Sequence, residues 1–288
     1  MRAAVPNTYQ ESRDELNGMN VMNILGINMT CLSYEEMYPI FDRWLADKTS
    51  RSHSLAVINV HICVSALFNK HLRDLYNSAD LVSIDSMPFL KWARAFYNKK
   101  SDRFYAPDLM LEVSSKVREK GYTYFLYGGY PEEPDHIVEY LTDRFGTINV
   151  AGMFSPPFRP LTDEEELNIC NVINAARPDF LWIGLGSPKQ DVWIHDHLEK
   201  IRGSIIVPSG ATFDFFGGRI RQAPLWIRNL GFEWLFRLTQ DFRRLWKRYT
   251  IYNVIFIFFF FLQLIKVVSY DHEGFLLLFG LRTRLGNS

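Results

Sequence analysis

The chain has 288 residues, 48% of them hydrophobic, and its 32 Lys and Arg balance 32 Asp and Glu. That apolar content excludes a disordered chain and suffices for one large α/β core, alone or with a small appendage. The even charge gives no reason to expect a nucleic-acid partner, and Cys31, Cys63 and Cys170, far apart and without metal spacing, exclude a disulfide framework.

Residues 1–20 read as an N-terminal tail. Glu11, Arg13, Asp14 and Glu15 interrupt it, so it lacks the basic and apolar pattern of a signal peptide, and secretion is not expected. Short apolar runs then alternate with helical patterns. Strands are predicted at 55–60, 81–84, 122–127, 148–153, 180–184 and 204–208. These runs are rich in Val, Ile, Phe and Tyr and nearly continuous in apolarity, which suits strands covered on both faces. Helical spacing occupies 61–77, 108–120, 134–145, 162–176 and 189–200, the fourth of these opening with the cap Thr162 and an acidic first turn. Strand alternating with helix predicts an α/β fold, a Rossmann-like doubly wound and mostly parallel sheet, filling a core over 21–228. Ligands of such sheets bind beyond the carboxyl ends of the strands. Those ends carry Asn59, Asp85, Gly128–Gly129, 186–190 and 210–214, so these residues are expected to converge on one cleft.

Two of the strand ends are the most specific. FLWIGLGSPKQ (180–190) and IIVPSGATFDFFGGRIRQAP (205–224) each read as a buried strand, a glycine turn and a helix start. They present Ser187, Lys189 and Gln190 from one turn, and Thr212, Asp214 and Arg219 from the other. Glycine lets a ligand approach the backbone and a helix N-terminus leaves amides unpaired, so a ligand carrying a diphosphate is expected.

The C-terminal part, 229–288, differs in character. Residues 200–249 hold ten Lys or Arg against only Asp214, Glu233 and Asp241, which implies an anionic partner. The stretch 251–268 is apolar apart from Asn253, Gln263 and Lys266. As a helix its eighteen residues reach about 27 Å, marginal against a hydrocarbon core of about 30 Å. Three placements stay open: a single pass through the bilayer, a helix in the membrane surface with the basic cluster on head groups, or a buried core helix. Membrane contact is the expected one.

In combination, SADLVSIDS (78–86), DRFYAPDLM (102–110), FLYGG (125–129), PDFLWIGLGSPKQ (178–190), SGATFDFFGGRIRQAP (209–224) and GFEWLFRL followed by RRLWKRY (231–249) resemble the WecG/TagA/CpsF glycosyltransferases. The resemblance spans about residues 20–260. It implies a UDP-sugar donor, an undecaprenyl-diphosphate-linked saccharide acceptor, inversion at the anomeric carbon without a required metal, and no cofactor. It further implies work on cell-surface polysaccharides at the cytoplasmic face of the membrane, through a membrane-associating C-terminal helical appendage. By the same resemblance Asp85 is the catalytic residue, and Asn59, Arg103, Gln190 and Asp214 contact the donor, with Gly128 and Gly129 beside them. Arg237, Arg244, Lys247 and Arg248 match the region that reaches the acceptor's diphosphate.

The residues support this chemistry independently. An inverting transfer needs one carboxylate to take the acceptor hydroxyl's proton, and Asp85 at a strand end is well placed. No Asp-x-Asp occurs, so arginines and backbone amides are expected to receive the departing diphosphate. The spacing of seven and then three or four from Arg237 to Arg244, Lys247 and Arg248 is expected to set these cations on one helical face. Plainer readings stand beside these: a helix cap for Asp85, an ion pair with Asp102 or Asp108 for Arg103, satisfied turn residues for Gln190 and Asp214, and a strand-end role for His61. Val57 replaces the family's usual Thr, His61 an acidic residue, Ser86 and Ala106 two glycines, which leaves open an N-acetylmannosamine-type or a glucose-type donor. A nicotinamide oxidoreductase shares the fold class, but no Gly-x-Gly-x-x-Gly opens a helix after the first strand. A catalytically silent membrane adaptor binding nucleotide-sugars is the second rival, and self-association stays open.

Overall fold

The computed structural model describes residues 18–270, 276–278 and 281–283; the side chains of Arg244 and Arg248, and most of the predicted N-terminal tail, lie outside the described residues. The chain opens on an antiparallel hairpin absent from the sequence reading, β1 (Val21–Ile24) and β2 (Ile27–Thr30). Its two-residue turn places Leu25 at φ 50° and Gly26 at φ 87°, the left-handed pair that matches strand twist. Helix α1 (Tyr34–Ala46) follows, started by a reciprocal capping box between Ser33 and Glu36.

The predicted strands all form, as β3 (His53–Ile58), β4 (Leu81–Ile84), β5 (Thr123–Gly128), β6 (Asn149–Phe154), β7 (Phe180–Gly184) and β8 (Ile205–Pro208). They make one sheet in the order β4-β3-β8-β7-β5-β6 with every neighbouring pair parallel. Continuous apolarity has a simple cause here. Alternate residues supply opposite layers: Tyr124, Leu126, Phe180, Trp182, Ile205 and Val207 face one core, while Phe125, Tyr127, Leu181, Ile183 and Ile206 face another. The connection from β5 runs outward to β6 and that from β7 runs back to β8, so the adjacent ends of β5 and β7 form a crevice.

The helices depart from expectation in their breaks. The predicted helix 61–77 is two, α2 (Val60–Leu67) and α3 (Lys70–Ser78), because the Asn69 side chain accepts from Leu72 N at 3.1 Å and starts a new cap. After α4 (Met87–Phe96), the predicted 108–120 likewise divides into α5 (Ala106–Ser115) and α6 (Val117–Lys120), the chain tightening where Lys116 N reaches Val113 O. Next come α7 (Glu133–Phe145), α8 (Asp163–Ala176) and α9 (Lys189–His197), close to prediction. Three short helices, α10 (Gly210–Phe216), α11 (Leu225–Leu230) and α12 (Glu233–Gln240), lead to the long α13 (Phe242–Leu264).

Helix α13 lies along the protein. Tyr252, Ile255, Phe256, Phe259 and Phe260 pack on the core built by the hairpin, α2 and α4, and Phe256 lies 5.4 Å from Phe89, centroid to centroid. At its far end Gln263 accepts from Leu25 N (3.0 Å) and donates to Asn23 O (3.1 Å), fastening the helix to the hairpin turn. The opposite side, with Val254, Ile257, Phe258 and Phe261, is exposed. A short antiparallel pair, β9 (Leu276–Leu278) and β10 (Leu281–Thr283), follows.

Candidate active site

Asp85 is the first residue after β4, and its backbone N–H donates to Ile58 O of β3 at 3.0 Å, so sheet pairing itself fixes the carboxylate at the carboxyl edge. Asn59 follows β3 in the same way. Its Oδ1 caps α2 by accepting from Ile62 N (3.1 Å), while its Nδ2 donates to Asp85 Oδ2 (3.2 Å). Arg103, in the loop before α5, donates from Nε to the Asp85 carbonyl. One of its terminal nitrogens lies 3.4 Å from Asp85 Oδ1 and 3.0 Å from Glu233 Oε2. Tyr105 donates its hydroxyl to the second Glu233 oxygen, and the Arg103 guanidinium stands 4.3 Å from the Tyr105 ring centroid. Two buried carboxylates thus share one guanidinium. Burial pushes the Asp85 carboxyl from 3.8 up to about 6; Glu233 adds to the rise, and Arg103, the Asn59 hydrogen bond and Arg237 oppose it.

The glycine turns close the other side. Gly128 (φ 128°) and Gly129 (φ 71°) sit where no side chain fits: a Cβ on the first would stand 2.5 Å from the Gly184 backbone, and one on the second 2.6 Å from the Phe213 ring. Gln190 Oε1 accepts from Gly186 N (3.0 Å) and Gly210 N (3.2 Å), and its Nε2 donates to Ser187 Oγ (3.1 Å), so this buried side chain ties the two turns together. Asp214 is held between Arg219 and Arg237, the latter at 3.4 Å. Arg219 also reaches Glu133 at 3.3 Å and stands over Tyr130.

A cavity of about 490 Å³ lies at the carboxyl ends of the strands; its wall holds Asn59, Asp85, Gly129, Gln190, Asp214 and Arg237, with Lys189 and Arg219 as further cations, while Gly128 is not part of it. A second cavity of about 690 Å³ lies between α4 and α13. Asn59, Asp85, Tyr105 and Arg237 line both. Arg103 and Glu233 line only the second, so Arg103 stands on the far side of Asp85 from the glycine turns. Val57 faces the first cavity and His61 the second, its ring 4.8 Å from that of Tyr252.

The predicted single helical face of cations does not form. Arg237 belongs to α12, whereas Arg244, Lys247 and Arg248 belong to α13, and the chain breaks at Asp241 (φ −143°, ψ 63°) between them. Lys247 is exposed, its Nζ 5.6 Å from the Trp246 ring centroid, and lines neither cavity. Sequence reasoning gave no role to Glu233 or Tyr105. The signal was present in GFEW, an acid inside a basic segment directly before an aromatic residue. Among the described residues no three His, Cys, Asp or Glu are grouped to hold a metal ion.

The family model described as "Glycosyl transferase WecG/TagA/CpsF family" matches residues 22–269. The chain belongs to this family. One WecG/TagA/CpsF relative, the N-acetylglucosaminyldiphosphoundecaprenol N-acetyl-beta-D-mannosaminyltransferase of Bacillus subtilis (strain 168), is 25% identical over 194 residues, 67% of this chain and 73% of the relative. Family membership makes the protein a glycosyltransferase, which sets aside the dehydrogenase and the silent adaptor. For a glycosyltransferase the arrangement has a direct chemical meaning: a carboxylate of raised proton affinity between two cavities, one rich in cations and glycine turns, the other largely apolar.

Proposed function

We propose that this glycosyltransferase moves a sugar, of N-acetylmannosamine or glucose type, from a UDP-sugar to the saccharide of an undecaprenyl-diphosphate-linked acceptor, with inversion and without a bound metal. The reading places the reaction at the cytoplasmic membrane face, in cell-surface polysaccharide synthesis, with 21–228 as the catalytic core and 229–288 as the appendage. One observation carries it: Asp85 stands at the junction of both cavities. The donor occupies the first, its diphosphate against Lys189, Arg219 and Arg237 and the backbone amides of the glycine turns. Asn59, Gln190 and Asp214 stand in the same wall, and in this reading they contact the donor's sugar and nucleoside hydroxyls.

Asp85 accepts the proton of the acceptor hydroxyl as that oxygen bonds to the anomeric carbon from the face opposite UDP. The bond from that carbon to the phosphate oxygen breaks, and its electron pair leaves with UDP. The cations already placed around the diphosphate receive that charge. Arg237, lining both cavities, also bridges toward the acceptor's diphosphate; Arg244, Lys247 and Arg248 extend the positive field along α13.

A panel of UDP-sugars with a short-chain polyprenyl-diphosphate-GlcNAc acceptor tests the reading, with UDP release measured in chelator. Asp85→Asn is expected to lower turnover by about 10²–10⁴ while UDP still binds. Undiminished turnover in that variant would remove Asp85 from the reaction, and turnover that depends on added divalent ion would remove the cation argument.

A further inference from the structure

The second cavity is two-natured. Its lining holds the guanidiniums of Arg103, Arg228 and Arg237, each also paired with a carboxylate, and, from α13, the apolar Val254, Phe256, Ile257 and Phe260. Helix α13 borders it from Tyr249 to Phe260, which at 1.5 Å per residue is about 16 Å of length. Val254 and Ile257 line it yet are 63% and 65% exposed, so they form a lip shared with the exposed apolar side of α13 that also carries Phe258 and Phe261. The cavity therefore opens onto the exposed apolar side of α13. The Nε of Arg237 is buried without a hydrogen-bond partner, a donor left for an anion.

We propose that this cavity is a lipid-chain subsite: it takes the proximal isoprenoid segment of a polyprenyl-diphosphate acceptor between α4 and α13, with the diphosphate at the arginines and the saccharide hydroxyl at Asp85. The inference rests on the lipid-linked acceptor reading and adds that the enzyme itself grips the lipid. The chemistry of the lining suits such a molecule: guanidiniums for its anionic group, shared with the carboxylates they already bind, and the apolar side chains of α13 for its hydrocarbon. The sugar nucleotide is polar throughout and has no use for the apolar lining. Chain length should then be read by the protein as well as by the membrane.

The test uses the full chain, with Ile257→Trp and Val254→Trp filling the lip while keeping it apolar. Two acceptors carry the same diphosphate-linked saccharide, one on a long polyprenyl chain and one on an alkyl chain too short to reach the lip. The expected result is a fall of about tenfold in the ratio of kcat/KM for the long over the short acceptor, with vesicle binding retained because Trp is at home in the interface. An unchanged ratio in both variants would overturn the subsite. Transfer by the wild-type chain to neither acceptor would instead overturn the underlying lipid-acceptor reading.

Discussion

At the level of single residues, Asp85, the carboxylate proposed as the base, is inseparable from a second one. Glu233 and Asp85 are bridged by Arg103, and Glu233 raises the proton affinity of Asp85 while Arg103 lowers it. A base must be ionised to act, so turnover should rise with pH along an acid limb near 6, where Asp85 loses its proton. Replacing Glu233 by Gln removes the neighbouring negative charge and leaves Arg103 to Asp85 alone. Both effects lower the Asp85 pKa, so the limb should move to lower pH in a kcat/KM profile; a merely structural Glu233 would change stability and leave the limb in place. The place of Asp85 at the cleft was legible because a strand end and a family motif coincide there. Glu233 was not, since its meaning lies in a contact with Arg103 across 130 residues of chain.

Among the elements, legibility followed the physics that each depends on. Strands covered on both faces announce themselves as unbroken apolar runs, and all six main-sheet strands were readable within two residues. The break between α2 and α3 turns on one side-chain cap at Asn69, and the first hairpin on a Leu–Gly turn that carries no Asn–Gly signal. Helix α1 was readable in principle: Met37, Ile40, Phe41 and Trp44 keep helical spacing and are buried. The strands are anchored at the end opposite the site by a buried cluster in which Arg51 meets Asp80 at 2.5 and 3.0 Å and Ser54 N donates to it at 2.8 Å. Burial alone would raise Asp80, but His53, whose Nδ1 stands 3.7 Å away, and the hydrogen bonds and charge of Arg51 hold it well below the usual carboxylate range. Its stabilising share is therefore intact above about pH 4 and is lost as pH falls below that. Arg51→Met strips this carboxylate of its partner and should cost about 3–5 kcal/mol, read as a lower urea midpoint at pH 7. The difference from wild type should shrink in acid.

For the whole molecule, the proposed membrane contact falls to α13. Residues 245–264 are long and apolar enough to cross a bilayer by length and composition. Yet Phe256 and Phe260 pack on the core, and Gln263 is tied to the hairpin turn at the helix end. To span, the helix would have to leave these contacts and expose the apolar faces of α2 and α4 to water. A helix in the interface keeps them and offers its other side, Val254, Ile257, Phe258 and Phe261, to the acyl boundary. Arg243 and Lys247 sit upstream, each worth about 1 kcal/mol on an anionic surface. Deleting the segment is a poor test, because it uncovers the core. Phe258→Glu with Phe261→Glu leaves the packed side intact and should abolish co-sedimentation with anionic vesicles without lowering the melting temperature. Alkaline carbonate should release the wild-type chain from membranes; retention in the pellet would mean that α13 crosses the bilayer after all.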